Sequence, residues 1–151
     1  MIVGVISDTH GLLRPEAVAA LRGADMILHA GDIGSSAVLD SLASIAPVTA
    51  IRGNVDGRWA NGIPETSVVS VGEIMLYMLH DLGRLDLKPE AAGLSAVIFG
   101  HSHKPLHEIR NGVLYFNPGS AGPRRFSLPV SVGRLVVEER NVTAELIQLK
   151  V

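Results

Sequence analysis

The chain has 151 residues, 47% apolar and 19% charged, which fits one globular domain over 1–151 and excludes a disordered or low-complexity chain. Its formal net charge of −2 offers no basic footprint for gripping nucleic acid. With no cysteine there is neither a disulfide framework nor a thiolate site, so any metal must be held by His, Asp, Glu or Asn.

Met1 leads straight into the apolar run Ile2-Val3-Gly4-Val5-Ile6 without a basic leader, so a cytoplasmic location is expected. No stretch approaches the ~20 apolar residues of a membrane helix. The first strand is predicted over Met1 to Ser7 and stops at Asp8-Thr9-His10-Gly11. Arg14-Pro15-Glu16 opens a helix, since proline suits the first helical position, with Val18 and Leu21 on one face and Gly23 as the stop. A second strand, Met26 to His29, runs into Ala30-Gly31-Asp32-Ile33-Gly34. Ser35 or Ser36 is placed to cap the next helix, where Val38, Leu39, Leu42 and Ile45 recur at helical spacing before Pro47. The third strand, Val48 to Arg52, ends in Gly53-Asn54-Val55-Asp56-Gly57. Strands alternating with helices predict βαβ units and a parallel sheet, in which ligands gather at the carboxyl ends of the strands.

The pattern then changes to hairpins. Thr66 to Val71 and Glu73 to Leu79 flank Gly72, and the second arm ends at His80-Asp81. These exposed arms, Val68 to Met78, offer a surface for homo-oligomer pairing. Leu87 to Ala92 is expected as a short helix, and Ala96 to Phe99 as a buried strand. Leu106 to Ile109 and Val113 to Phe116 enclose Asn111-Gly112, a strong hairpin signal. Val130 to Val137 and Val142 to Leu149 form a last antiparallel pair. A βαβαβ half followed by a β-rich half predicts two packed sheets flanked by helices.

His101 and His103 stand two residues apart after the apolar run ending at Phe99. In an extended chain they would project to one side about 6 to 7 Å apart, a spacing that suits two metals about 3.5 to 4 Å apart better than one ion. The polar residues just past the apolar strands are Asp8, His10, Asp32, Asn54, His80, His101 and His103. All are oxygen or imidazole donors suited to Mn, Fe, Zn, Ni or Mg. Asp32, in the loop of the central strand, is the natural carboxylate to bridge two ions.

Asp8-x-His10, Gly31-Asp32, Gly53-Asn54, His80 and Gly100-His101-x-His103, in this order, resemble the calcineurin-like metallophosphoesterases. Gly53-Asn54-Val55-Asp56 and Asn117-Pro118-Gly119-Ser120 resemble the small bacterial and archaeal phosphodiesterase branch. The resemblance covers essentially the whole chain. It implies an α/β fold, a four-layer α-β-β-α sandwich with two mixed β-sheets, and two divalent metal ions at their edge, manganese the first choice. One metal would take Asp8, His10, Asp32 and His103, the other Asp32, Asn54, His80 and His101. The implied activity is a metal-dependent phosphodiesterase acting on a small phosphodiester by attack of a dimetal-bound hydroxide. Asp32 and Asn54 would be catalytic, with Asn54 also donating to the phosphoryl group and Arg124 or Arg125 clamping the anion at the rim.

Many family members carry a histidine after the Gly-Asn pair, thought to protonate the leaving oxygen; this chain has Val55 there. A preference for acidic leaving groups, such as aryl diesters, is therefore expected, with Asp56 the nearest other proton source. His80-Asp81 stands where the family often has His-Gly. The alternative function is a non-catalytic protein-binding scaffold, because the same family includes trafficking subunits; eroded donors mark those, and here every donor position is filled. Of the other polar residues, His29 is expected as a satisfied buried histidine and His107 as a solvated hairpin residue. Ser102 lacks the setting of a nucleophile. Asn117-Pro118-Gly119-Ser120 is expected as a turn supporting the metal loops, and Met75 and Met78 as packing.

Overall fold

Alternation along the first strand decides the layering. In β1 (Ile2–Ile6), Val3 and Val5 enter one core while Ile6 enters another; a strand with both faces covered must be central. The computed structural model describes residues 1–151. Its remaining elements are α1 (Pro15–Leu21), β2 (Met26–His29), α2 (Ser36–Ala43), β3 (Val48–Ala50), β4 (Thr66–Val71), β5 (Ile74–Leu79), β6 (Ala96–Ile98), β7 (Leu106–Arg110), β8 (Val113–Asn117), β9 (Ser131–Glu138) and β10 (Asn141–Gln148), with 3₁₀ turns at Arg58–Ala60 and Leu82–Arg84. They make two five-stranded sheets, ordered β10-β9-β1-β2-β3 and β4-β5-β6-β8-β7. Both are mixed: β1 runs parallel to β2 and antiparallel to β9, and β6 runs parallel to β5 and β8.

The sheets pack face to face over a core of 16 buried residues, among them Val3, Val5 and Leu28 from one sheet and Leu76, Met78, Ile98, Leu114 and Phe116 from the other. On the far side of the first sheet, Ala17 and Leu21 of α1 and Val38 and Leu42 of α2 bury Ile6, Ile27 and Val132. A Cβ on Gly4 would lie 2.7 Å from Leu21 Cδ2, so the bare backbone there is what lets α1 sit close. The outer face of the second sheet carries a smaller cluster, Tyr77, Leu79, Val97, Phe99, Val113 and Tyr115, covered by Leu82, Leu85, Leu87 and Leu94. The fourth layer is therefore thin, a 3₁₀ turn and a loop rather than a full helix.

The expected helix over Leu87 to Ala92 is one such covering turn. Ala91 and Ala92 both donate to Lys88 O, Leu94 donates to Pro89 O, and Gly93 is left-handed at φ 74°. That wrap closes the first turn before a second can start. In α2 the Ser35 side chain makes no cap bond, and the helix stops at Ala43, although Ile45 still packs on the core. Met78 is fully buried, whereas Met75 and Val68 are exposed at 44% and 52%, so Met75 is not core packing. No helix is long and apolar enough to cross a membrane.

Candidate metal centre

Five elements deliver the predicted donors at their carboxyl ends: β1 (Asp8, His10), β2 (Asp32), β3 (Asn54), β5 (His80) and β6 (His101, His103). The loops are stitched edge to edge by backbone bonds, Asp8 N–H to Gly31 O at 3.0 Å, His10 N–H to Asp32 O at 2.9 Å and Gly100 N–H to His80 O at 3.0 Å. Of the eight non-glycine residues with positive φ, five are predicted donors: Asp8, His10, Asp32, His101 and His103. Each left-handed residue costs about 1 to 3 kcal/mol and persists only where its surroundings hold it. The expectation of an extended chain from Gly100 to His103 is thereby corrected: φ of 73° and 62° at the two histidines turns their side chains to different neighbours. His103 is buried with His10 and Asp8, while His101 is exposed beside His80, their ring centres 5.2 Å apart.

Donor atoms converge in two groups, Asp8 with His10 and His103, and Asp8 with Asp32 and His80, each within 4.8 Å. His103 Nε2 lies 3.3 Å from Asp8 Oδ1 and 3.4 Å from His10 Nε2. His80 Nε2 lies 3.2 Å from Asp32 Oδ2 and 3.9 Å from Asp8 Oδ1. Asp32 Oδ2 is also 3.8 Å from His10 Nε2, so it faces both groups, as a bridging carboxylate must; Asp8 Oδ1 does so too, which the sequence did not suggest. Asp8 Oδ1 and His80 Nε2 are buried with no hydrogen-bond partner. Buried polar atoms without partners are costly, and a carboxylate oxygen and imidazole nitrogens aimed at one another fit a divalent cation.

The tautomers agree with that fit. His80 Nδ1 sits 2.7 Å from Ala30 O; a carbonyl only accepts, so Nδ1 carries a proton and Nε2 is the nitrogen turned to the centre, the one that would give its lone pair to a cation. Burial disfavours the charged form of His80, yet attraction to Asp32 and the Ala30 carbonyl raises its pKa above the ordinary value. Burial likewise works against the charged Asp32, but His80 and the Val55 N–H hold its pKa below the ordinary value.

Around the donors lies a tier of residues that fix them. Ser7 Oγ–H (2.7 Å) and His101 N–H (3.2 Å) both donate to Asp8 Oδ2, leaving Oδ1 to face the histidines. Asp56 accepts from Ile33 N–H at 3.1 Å, Gly34 N–H at 3.0 Å and Gly53 N–H at 2.9 Å. It clamps the Asp32 loop to the Asn54 loop and is not free as a proton source. Asn117 donates to Gly100 O at 3.0 Å and accepts from Gly119 N–H, and Ser120 Oγ donates to Asp8 O at 3.0 Å, the supporting turn that the Asn-Pro-Gly-Ser sequence predicts. A Cβ at Gly53 would overlap Asp32 Oδ1, and one at Gly100 would overlap Ser7 Oγ, so glycine is required at both. His29 is fully buried and satisfied: Gly31 N–H donates to its Nδ1 at 3.1 Å, and Nε2–H donates to Thr9 Oγ1 at 3.0 Å, whose hydroxyl donates to Ile33 O.

Asn54, His80 and His101 also line a cavity of 480 Å³ that continues away from the centre past Arg52, Thr66, Tyr77 and Arg84. Arg124 is not brought there. It is exposed, and its Nη2 donates to Val151 O at 3.1 Å; Arg125 is likewise exposed and absent from the cavity. The arginines on the cavity wall are instead Arg52 and Arg84, which lie between β3 and β4 and in the 3₁₀ turn after β5, with no motif to mark them. Val55 is 52% exposed and contributes its backbone N–H to Asp32 Oδ1 at 3.1 Å.

The family model for the calcineurin-like phosphoesterase superfamily domain matches residues 1–140. A Methanocaldococcus jannaschii protein named a probable metallophosphoesterase is 33% identical, covering 99% of this chain and 82% of its own. A second protein from that organism, named a phosphodiesterase, is 26% identical over 93% of this chain and 95% of its own. Among solved structures, vacuolar protein sorting 29 of Cryptosporidium parvum superposes with a TM-score of 0.78 over 98% of this chain and 97% of its own, at 19% identity, a likeness of fold.

Proposed function

We propose that this chain, which belongs to the calcineurin-like phosphoesterase superfamily, is a metal-dependent phosphoesterase whose substrates are small phosphodiesters. The observation that carries this reading is the buried Asp8 Oδ1, which has no hydrogen-bond partner and is shared by two groups of donor atoms. Asp8, His10, Asp32 and His103 would hold one divalent cation and Asp32, Asn54, His80 and His101 a second, with manganese the first to try. Such ions supply an acidified water as nucleophile and neutralise charge on the phosphoryl oxygens.

The chain's own groups do the rest. Val55 N–H and the His80 ring set Asp32 so that Oδ2 faces the centre. The exposed Asn54 amide, at the cavity wall, donates to a phosphoryl oxygen as charge builds there. Neither residue after the Gly-Asn pair is placed to protonate the leaving oxygen, because Val55 has no ionisable group and both Asp56 oxygens are occupied by backbone N–H groups. Departure then depends on the leaving group's own acidity.

The test is hydrolysis of bis-p-nitrophenyl phosphate with and without manganese, beside Asp32→Asn. Manganese-dependent turnover is expected, with a loss of about 10² to 10³-fold in the variant, the usual scale for removing one electrostatic group. Across a series of aryl methyl phosphates the rate is expected to fall steeply as leaving-group pKa rises; a flat dependence contradicts the missing acid. If wild type and variant are equally inert with every divalent metal tried, the enzyme reading fails and the protein-binding scaffold takes its place.

A further inference from the structure

Resting on the phosphodiesterase reading, we propose that the cavity beside the donors is a subsite for a polyhydroxylated arm of the substrate, a glycerol or a sugar, selected by Arg84 and Asp86. The cavity, at 480 Å³, has the size of a small-molecule site. Three donors form part of its wall, so a phosphoryl group bound at the centre extends one of its ester arms into it. What that arm meets is polar, since only two of the twelve lining residues are hydrophobic.

The charges decide which polar chemistry fits. Arg52 is already paired with Glu65 at 3.3 Å, and Asp81 Oδ1 accepts from Gly83 N–H at 2.9 Å. Arg84 and Asp86 remain as a strong donor and a strong acceptor on the same cavity, neither with a side-chain partner in the protein. Glu65, Asp81 and Asp86 outnumber Arg52 and Arg84 by three carboxylates to two guanidiniums, which repels a second phosphate or carboxylate. An alkyl or aryl arm would cover these groups without pairing them, the arrangement that polar sites reject most strongly. A cationic arm would satisfy Asp86 and oppose Arg84. A diol satisfies both, because each hydroxyl accepts from a guanidinium and donates to a carboxylate. Thr66 adds a further hydroxyl on the same wall.

The experiment compares three p-nitrophenyl phosphodiesters that share phosphorus and leaving group and differ in the retained arm: ethyl, 2,3-dihydroxypropyl and 2-carboxyethyl. With manganese-loaded protein, and counting only formation of the acyclic phosphomonoester so that attack by the arm's own 2-hydroxyl to give a cyclic phosphate is left out, the dihydroxypropyl ester is expected to exceed the ethyl ester about tenfold in kcat/KM, through KM, and to exceed the carboxyethyl ester by more. Arg84→Gln and Asp86→Asn should each bring the dihydroxypropyl to ethyl ratio close to one. A second readout needs no turnover: in metal-free protein, sn-glycerol 3-phosphate should move the amide resonances of Thr66, Arg84 and Asp86, and ethyl phosphate should not. Hydrolysis with equal kcat/KM for the ethyl and dihydroxypropyl esters, a best rate on the carboxyethyl ester, or a ratio unchanged in both variants overturns the subsite and leaves the phosphodiesterase intact. Absence of hydrolysis with selective, Arg84-dependent shifts by sn-glycerol 3-phosphate would instead sustain the subsite and remove the phosphodiesterase.

Discussion

Removing the titration of His29 should flatten the acid side of the stability curve. Burial lowers the pKa of this ring to about 4 from 6.5, against the pull of Asp8 and Asp56, and both ring nitrogens already have partners that suit the neutral form. A base whose pKa is lower folded than unfolded gives up its proton on folding. Between pH 6.5 and about 4 the unfolded chain therefore binds one more proton than the native one, and stability falls as pH drops through that window. One proton is worth about 1.36 kcal/mol per pH unit, so the interval from 6.5 to about 4 amounts to about 3 kcal/mol, a large part of a typical total of about 5 to 15 kcal/mol. His29→Gln keeps a donor and an acceptor but does not titrate. Urea unfolding of metal-free wild type and variant at pH 7.5, 6.5, 5.5 and 4.5 isolates the effect, because the carboxylates and remaining histidines are common to both. The difference in unfolding free energy should shift by about 2.5 kcal/mol against wild type from the highest pH to the lowest. If it stays constant within about 0.5 kcal/mol, the neutral, buried assignment of His29 is wrong.

Asp56→Ala strands three backbone N–H groups at once, and a cost of about 2 to 4 kcal/mol in urea unfolding is expected, with manganese-dependent hydrolysis falling as the Asp32 and Asn54 loops part; a cost below about 1 kcal/mol would show that water replaces the clamp. Adding manganese at about a thousand times its dissociation constant should stabilise wild type by about 4 kcal/mol, or a Tm rise of roughly 8 to 16 °C. In Asp8→Asn most of that rise should vanish, and EDTA should reverse it in wild type; an equal rise in both proteins would put the ion elsewhere. Asn117→Ala should cost about 1 to 3 kcal/mol in thermal or urea unfolding by freeing the Gly100 carbonyl.

Strand ends were the legible part of this sequence. An apolar run followed at once by Asp, His or Gly marks where a parallel strand leaves the core, and Asp8, Asp32, His80 and His103 could be named on that basis before any coordinates. The turn at Asn117 was equally plain, since proline and glycine at fixed offsets leave few conformations open. Arg52, Arg84 and Asp86 were not legible, because a solvated surface charge and a cavity wall are written with the same residue types. Arg124 lies outside that cavity for the converse reason: two adjacent arginines suggest an anion clamp, yet where a loop carries them depends on distant contacts, here the Val151 carbonyl. Backbone conformation at the histidines was also hidden. Left-handed φ at a non-glycine residue is imposed by neighbours that the local sequence does not contain, here Asp8 Oδ2 and the Asn117 amide.

Each donor group draws two members from the first sheet and one from the second: Asp8 and His10 with His103, Asp8 and Asp32 with His80. Neither sheet alone owns a full set. A nascent chain that has built only its βαβ half would present three of the four ligands for one ion, Asp8, His10 and Asp32, and two for the other, Asp32 and Asn54, whereas the finished sandwich would complete both sets. Tight metal capture is in that sense a certificate of completed folding, issued only once the two halves have met.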